Sequence, residues 1–424
     1  MNTNSVPWKG INGGVSAPVG FYACGVKSGV KYKGKYDLAI ILSEVRSHAA
    51  GVFTRNVVKA HPLLLTQKHI EDGQARAVIV NSGNANACMG ERGDQDAWQM
   101  AETTSLELGI APSDVLVAST GVIGQPMPMK KIVPGIKAAV AEVKSLQEQL
   151  SLDNCNCIQG SQAKIQAAHQ AALAIMTTDT TVKEMALELK CAGGTVKLGV
   201  MAKGSGMIHP NMGTMLCFIT TDAQVESSRL KELLQEATDE SFNMVTVDGD
   251  TSTNDMVLML ANGLSGVRPE GEDWQRFSQM VKEACCAMAR AIARDGEGAS
   301  KFIEVRVSGA KDISAARTIA RSVCSSSLVK AAMYGQDANW GRILAAAGYS
   351  GASFNPNQVD IFLNGLQVAS QGQGVNFSED EALVRLTDKD ILVEIHLGDG
   401  EGEAKAWGCD LTHRYIDINA DYRT

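Results

Sequence analysis

The sequence predicts a mixed α/β protein in which helices flank sheets. Two patterns carry that prediction: short runs rich in Val and Ile at strand length, and longer stretches whose apolar residues recur at helical spacing. Size adds a third. A chain of 424 residues with 45% hydrophobic and 20% charged positions can bury a large core, and two domains are the default expectation at that length.

Taken in chain order, Ala77 to Val80 and Val115 to Ala118 are continuously apolar, as strands covered on both faces must be. Leu230, Leu233, Leu234 and Ala237 place an apolar stripe on one helix downstream of Asp222. Phe277, Met280, Val281, Ala284, Cys285, Met288 and Ile292 do the same on a longer helix that ends before Asp295-Gly296. Ile303 to Val307, Val359 to Leu363 and Ile391 to Ile395 supply three more strands. The stretch from Ser145 to Gln162, with Asn154-Cys-Asn-Cys157 and Gly160, has linker composition, and a surface loop is expected there. No solenoid repeat and no low-complexity tail interrupts the chain.

Charge narrows the functional classes. The net charge is −8 and Lys and Arg are interspersed with Asp and Glu, so no basic face for nucleic acid is expected. No run of about 18 apolar residues occurs, and residues 1–14 lack the basic and apolar segments of a secretory signal. A soluble, cytoplasmic protein without a membrane partner follows as the expectation. The ten cysteines are scattered, which suits reduced core thiols. Cys155-Asn-Cys157 has no second pair or His cluster at zinc spacing, so no metal and no cofactor is expected.

Several motifs fail on chemistry. Gly29 to Lys35 has phosphate-loop spacing, but Tyr36 stands where a magnesium-holding hydroxyl is needed, leaving a basic turn before a strand near Asp37. Gly398-Asp-Gly400-Glu-Gly402 is acidic and would repel a pyrophosphate; it suits a turn. Asp248-Gly-Asp250 with Asn254 and Asp255 lacks the twelve-position calcium pattern and suits a structural loop. There is no Gly-x-Ser-x-Gly elbow, and the seven histidines are dispersed, so a His-activated nucleophile finds no support.

One segment remains. From Lys203 the chain runs through a Gly- and Pro-containing loop to Gly213 and Thr214, and Met215 to Thr221 then reads as a buried strand. That places one hydroxyl at a loop-to-strand junction, behind a residue with no side chain to hinder attack on its own carbonyl. If the 213–214 bond breaks there, Thr214 gains a free α-amine with a reference pKa of about 7.7–8.0, able to act as base for its own hydroxyl. On these residues alone the plainer reading is the stronger, since Gly favours turns and Thr favours strands.

The segment from Lys203 to Ala223 resembles the cleavage-site signature of the ornithine acetyltransferase family, in which a small residue precedes Thr-Met-Leu. Further blocks resemble that family in order: Gly20-Phe21 with Gly25 to Lys31 and Asp37-Leu-Ala, Val80 to Asn86, Ser119 to Gly124, Ala174 to Asp179, Asp248 to Asp255, Arg294 to Gly298, Gln336 to Gly341 and Ile418 to Thr424. They span nearly the whole chain.

The resemblance implies a four-layer helix-sheet-sheet-helix sandwich, shared with certain aminopeptidases, with a smaller C-terminal region. It implies self-cleavage into an alpha chain, residues 1–213, and a beta chain, residues 214–424, two of each forming a heterotetramer. Thr214 would take acetyl from N-acetylornithine and pass it to glutamate in arginine biosynthesis; whether acetyl-CoA also donates stays open. Thr120, through its hydroxyl, and Gly121, through its N–H, would form the oxyanion hole; a turn after Ala118 fits them equally well. Thr177, Lys203, Thr214, Glu297, Asn419 and Thr424 would bind substrate, with Lys203 on a carboxylate and Glu297 on an ammonium group. Without the resemblance, Lys203 and Glu297 read as solvated surface charges. Docking of Thr424 predicts that a C-terminal extension lowers activity more than an N-terminal one.

Two departures from the family pattern stand out: Gly213 in place of the usual Ala, and a longer stretch around Leu152 to Gln162. Two rivals share the scaffold, a hydrolase in which water replaces glutamate and a binding protein that never cleaves. Lys203, Glu297 and Asn419 favour the transferase over the first, and Thr214, Thr120 and Gly121 argue against the second.

Overall fold

The computed structural model describes residues 6–31, 34–152, 157–209 and 215–421. The chain forms two compact units, Met1–Gly204 with Thr214–Glu240 and Ser252–Met288, and Ser205–Gly213 with Ser241–Thr251 and Ala289–Thr424. Each contains one sheet together with helices, the mixed α/β class that the patterning predicts.

The first ten strands in chain order are β1 (Trp8–Ile11), β2 (Phe21–Val26), β3 (Leu38–Phe53), β4 (Gln74–Asn84) and β5 (Val115–Val122), then β6 (Lys183–Cys191), β7 (Gly194–Lys203), β8 (Leu216–Thr221), β9 (Val245–Thr246) and β10 (Met256–Ala261). All but β9 build the nine-stranded sheet of the first unit, in the order β1-β6-β7-β8-β10-β3-β4-β5, with β2 also pairing β3. Alternation along β3 explains how both faces are covered. Leu38, Ile40 and Leu42 join Ile79, Val117 and Met100 in one apolar cluster, while Ala39 and Ile41 join Val78, Val80 and Phe218 in another. Ile132, Ile136, Ala139, Val140 and Val143, spaced for one helix face, bring Met129–Leu152 onto the first cluster.

That helix and its successor, Cys157–Ile175, correct one expectation. Residues 145–152 and 157–162 are helical rather than loop, because Leu, Gln and Glu there are strong helix formers and the apolar stripe extends through Leu146 to the half-buried Leu150. The reading as a turn after Ala118 is corrected too: β5 continues to Val122, so Thr120 and Gly121 are strand residues.

The second unit adds β11 (Phe302–Ala310), β12 (Asp360–Leu363), β13 (Leu366–Ser370), β14 (Gln373–Gly374), β15 (Asp390–His396) and β16 (Gly402–Cys409). Its sheet runs β14-β13-β12-β15-β11-β16-β9. Helix Ile313–Ser325 packs on β11 and β16 and is capped by Asp312, whose carboxylate accepts the Ala315 N–H at 2.8 Å. The acidic glycine cluster at 398–402 is the turn from β15 to β16, as its composition suggests. Cys24, Cys217, Cys285, Cys324 and Cys409 are buried thiols, and Cys88 is exposed. Among the described residues, no helix is long and apolar enough to cross a membrane.

Candidate active site

Strand pairing in the first unit sets out its polar residues. Thr120 lies opposite Ser82 near the end of β5, and Lys203, the last residue of β7, lies opposite Leu216 at the start of β8. The structure brings the two side chains together. Lys203 Nζ donates to the Thr120 hydroxyl oxygen at 3.5 Å, and the two residues are 1% and 2% exposed. Lys203 is therefore no surface charge. A buried ammonium group needs compensation, and the carboxyl groups of Asp179 and Asp255 both interact electrostatically with it.

Asp179 is the hub of this arrangement. One oxygen accepts the Gly204 N–H at 2.7 Å and the Lys183 ammonium at 2.8 Å, and the other accepts the Thr177 N–H at 2.9 Å. Burial pushes its pKa up, but Lys203, Lys183 and these hydrogen bonds outweigh that and hold it well below the ordinary carboxylate range. The half-buried Thr177 and the residue after Lys203 thus share one anchor, Asp179, which lies 25 positions before Gly204 in sequence.

Gly121 has φ +133, and a Cβ there would lie 2.4 Å from the Gly83 carbonyl carbon, so the β4–β5 pairing admits only glycine. The register slips at this point, where Asn84 faces both Thr120 and Val122. Asn254 Nδ2 braces the approach, donating to the Ser119 and Ala85 carbonyls at 2.8 and 2.7 Å.

Gly213 and Thr214 lie outside the described residues. The residue that follows them is fixed: the Met215 N–H donates to Asp255 Oδ1 at 2.9 Å.

In the second unit, Asn419 Nδ2 donates to Glu297 Oε2 at 2.9 Å, joining two of the expected binding residues. The Glu297 N–H is held by the Ser205 carbonyl at 2.8 Å, and a methyl group on Gly206 would come within 2.3 Å of the Glu297 carboxylate. Asp248 accepts the Met207 and Ile208 N–H groups at 2.5 and 3.0 Å and the Tyr415 hydroxyl at 3.3 Å. Burial, then the Asp248 charge, pushes the Tyr415 pKa up. Thr424 lies outside the described residues.

Four contributors carried no assigned role from sequence: Lys31, Asp179, Asp248 and Asp255. All sit within the family-like blocks, which is the signal that could have found them. Lys31 Nζ donates to the Tyr36 and Met176 carbonyls at 3.0 and 2.5 Å, and burial lowers its pKa to about 8.

Comparison with known proteins places these residues in a family. The ArgJ family model matches residues 22–424. The arginine biosynthesis bifunctional protein of Symbiobacterium thermophilum is 51% identical, covering 98% of this chain and 99% of its own. That of Thermotoga neapolitana is 48% identical, covering 96% and 99%. A crystal structure of the Bacillus halodurans protein is 46% identical and covers 48% of this chain and 97% of that one, with a TM-score of 0.47. With a family match across nearly its whole length, the chain belongs to the ArgJ family.

Proposed function

We propose that this chain is an acetyltransferase of arginine biosynthesis that moves an acetyl group from N-acetylornithine to glutamate through an ester on Thr214. The observation that carries the reading is the buried Lys203–Thr120 pair in a member of the ArgJ family.

Maturation comes first. The Thr214 hydroxyl oxygen attacks the Gly213 carbonyl, the C–N bond breaks as the nitrogen takes up a proton, and water hydrolyses the resulting ester. The products are an alpha chain ending in the Gly213 carboxylate and a beta chain beginning with the Thr214 amine. That amine then takes the hydroxyl proton as the oxygen attacks the acetyl carbonyl, and returns it to the departing ornithine nitrogen. Glutamate's amine attacks the acetyl ester in the second half and restores the free hydroxyl.

Each attack leaves negative charge on a carbonyl oxygen. The Thr120 hydroxyl and the Gly121 N–H are the proposed donors to it, and one such donor is typically worth about 3–4 kcal/mol. Lys203 strengthens this assignment. Its ammonium donates to the Thr120 oxygen, leaving that hydroxyl's own hydrogen free to donate onward and polarising it. Thr177 and Lys203 are proposed to hold the substrate carboxylate side, Glu297 and Asn419 the ammonium side, and Thr424 to complete the binding set.

The relatives' designation as bifunctional supports acetyl-CoA as a second donor. Two alpha and two beta chains in a cytoplasmic heterotetramer complete the proposal.

Intact mass and N-terminal sequencing test it directly. The purified protein should consist of two pieces, one starting at Thr214, and Thr214→Ala should remain whole and inactive. Acceleration of N-acetylornithine loss by glutamate separates transfer from hydrolysis; indifference to glutamate would identify a hydrolase.

A further inference from the structure

After cleavage, Thr214 is joined to the protein through one peptide unit, the 214–215 bond. Rotation of that unit would swing both the hydroxyl and the amine, and a misplacement of about 1 Å in a reacting group can cost about 100-fold in rate. Whatever holds Met215 therefore controls the nucleophile.

Asp255 holds it. Its Oδ1 accepts the Met215 N–H at 2.9 Å, and the next residue, Met256, donates its N–H to the Met215 carbonyl at 3.3 Å. From there β8 and β10 run parallel, with Leu216 opposite Met256. The Asp255 side chain is fully buried, and its Oδ2 has no hydrogen-bond partner among the described residues. An ionised carboxylate buried with one oxygen unsatisfied is costly. Burial accordingly pushes its pKa well above the ordinary range, although the Met215 N–H, Lys203 and Ser252 pull the other way.

We infer that Asp255 is a positioning residue for Thr214, fixing the 214–215 peptide both while the 213–214 bond breaks and while Thr214 carries the acetyl group. It does so through Oδ1, which accepts the Met215 N–H. The inference rests on the reading of Thr214 as nucleophile.

Full-length Asp255→Asn, Asp255→Ala and Thr214→Ala variants separate the two ideas, with folding checked by thermal melting. Asn keeps a side-chain oxygen that can accept the Met215 N–H, so Asp255→Asn should cleave and turn over within about fivefold of the parent. Asp255→Ala should slow cleavage, and then kcat, by about 100-fold, leaving KM for N-acetylornithine within about threefold. Parental rates in Asp255→Ala overturn the inference, as does an Asp255→Asn variant that folds yet is as slow as Asp255→Ala. If Asp255→Ala does not fold, Asp255→Asn decides alone, normal turnover supporting the role and loss overturning it. A Thr214→Ala protein that still cuts and turns over removes the nucleophile reading, and this inference with it.

Discussion

Lys203 Nζ stands 3.5 Å from the Thr120 hydroxyl oxygen, on strands whose residues lie 83 positions apart in sequence. Removing the charge while keeping the stem tests what this contact does. Lys203→Met should lower kcat/KM for acetyl transfer by about 100-fold, the scale of losing one polarised donor. Steady-state kinetics measures it, and an unchanged kcat/KM would free Thr120 from any dependence on the lysine.

The Asp179–Lys183 ion pair, with both side chains out of solvent, makes a stability prediction. The Asp179 carboxyl is depressed in the folded protein, so its contribution is present above the unfolded value of about 3.9 and is lost as pH falls through the lower folded value. Asp179→Asn should destabilise by roughly 3–5 kcal/mol at neutral pH, because it strips one partner from a buried pair. Urea midpoints from pH 3 to 7 should converge with the parent's toward the acid end.

Asp255 has the opposite sign. Its folded pKa is raised, so ionisation penalises the fold progressively as pH rises above about 3.9. Asp255→Asn removes that penalty, and its thermal midpoint should match or exceed the parent's near neutrality. A midpoint markedly below the parent's at pH 7 would mean that the carboxyl is ionised in the fold.

Gly121 and Gly124 both have positive φ, but only Gly121 is hemmed in. An alanine at 121 meets the Gly83 carbonyl carbon at 2.4 Å, whereas at 124 nothing lies within 4 Å. Gly124→Ala should cost about 1 kcal/mol through backbone strain alone. Gly121→Ala should cost several times that and abolish activity. Paired thermal melts decide; equal shifts would deny the close approach.

In the second unit, Asn419→Ala removes the amide that holds Glu297 Oε2. KM for N-acetylornithine should rise about tenfold with kcat within about threefold, since one hydrogen bond to a charged group is worth about 1.5–3 kcal/mol. A fall in kcat at constant KM would place Asn419 in the chemistry instead.

What could be read in advance followed periodicity. The helix carrying Phe277 to Ile292 and the strands around Val115, Ile303 and Ile391 appear where their patterns put them. The start of β3 follows the strand expected near Asp37, but its length was not legible because Ser43, Glu44, Arg46 and Ser47 break its apolar run where the β3–β4 register shifts. Residues 145–162 misled because Asn, Cys and Gly outweighed the helix formers around them. The burial of Lys203 was invisible to any local pattern, since Thr120, Asp179 and Asp255 reach it from distant parts of the chain. Blocks of family likeness cover the segments that carry Thr120, Asp179 and Asp255, without saying which side chains in them meet Lys203.

A single carboxylate grips both the Thr177 N–H and the Gly204 N–H, so the bend at Thr177 and the strand end that carries Lys203 are tied at one point. If Thr177 and Lys203 act as proposed, substitutions at residues 176–180 that change donor preference should change reactivity as well. On the proposed roles, a lineage drifting toward another amino acid would have to change Asp179 first.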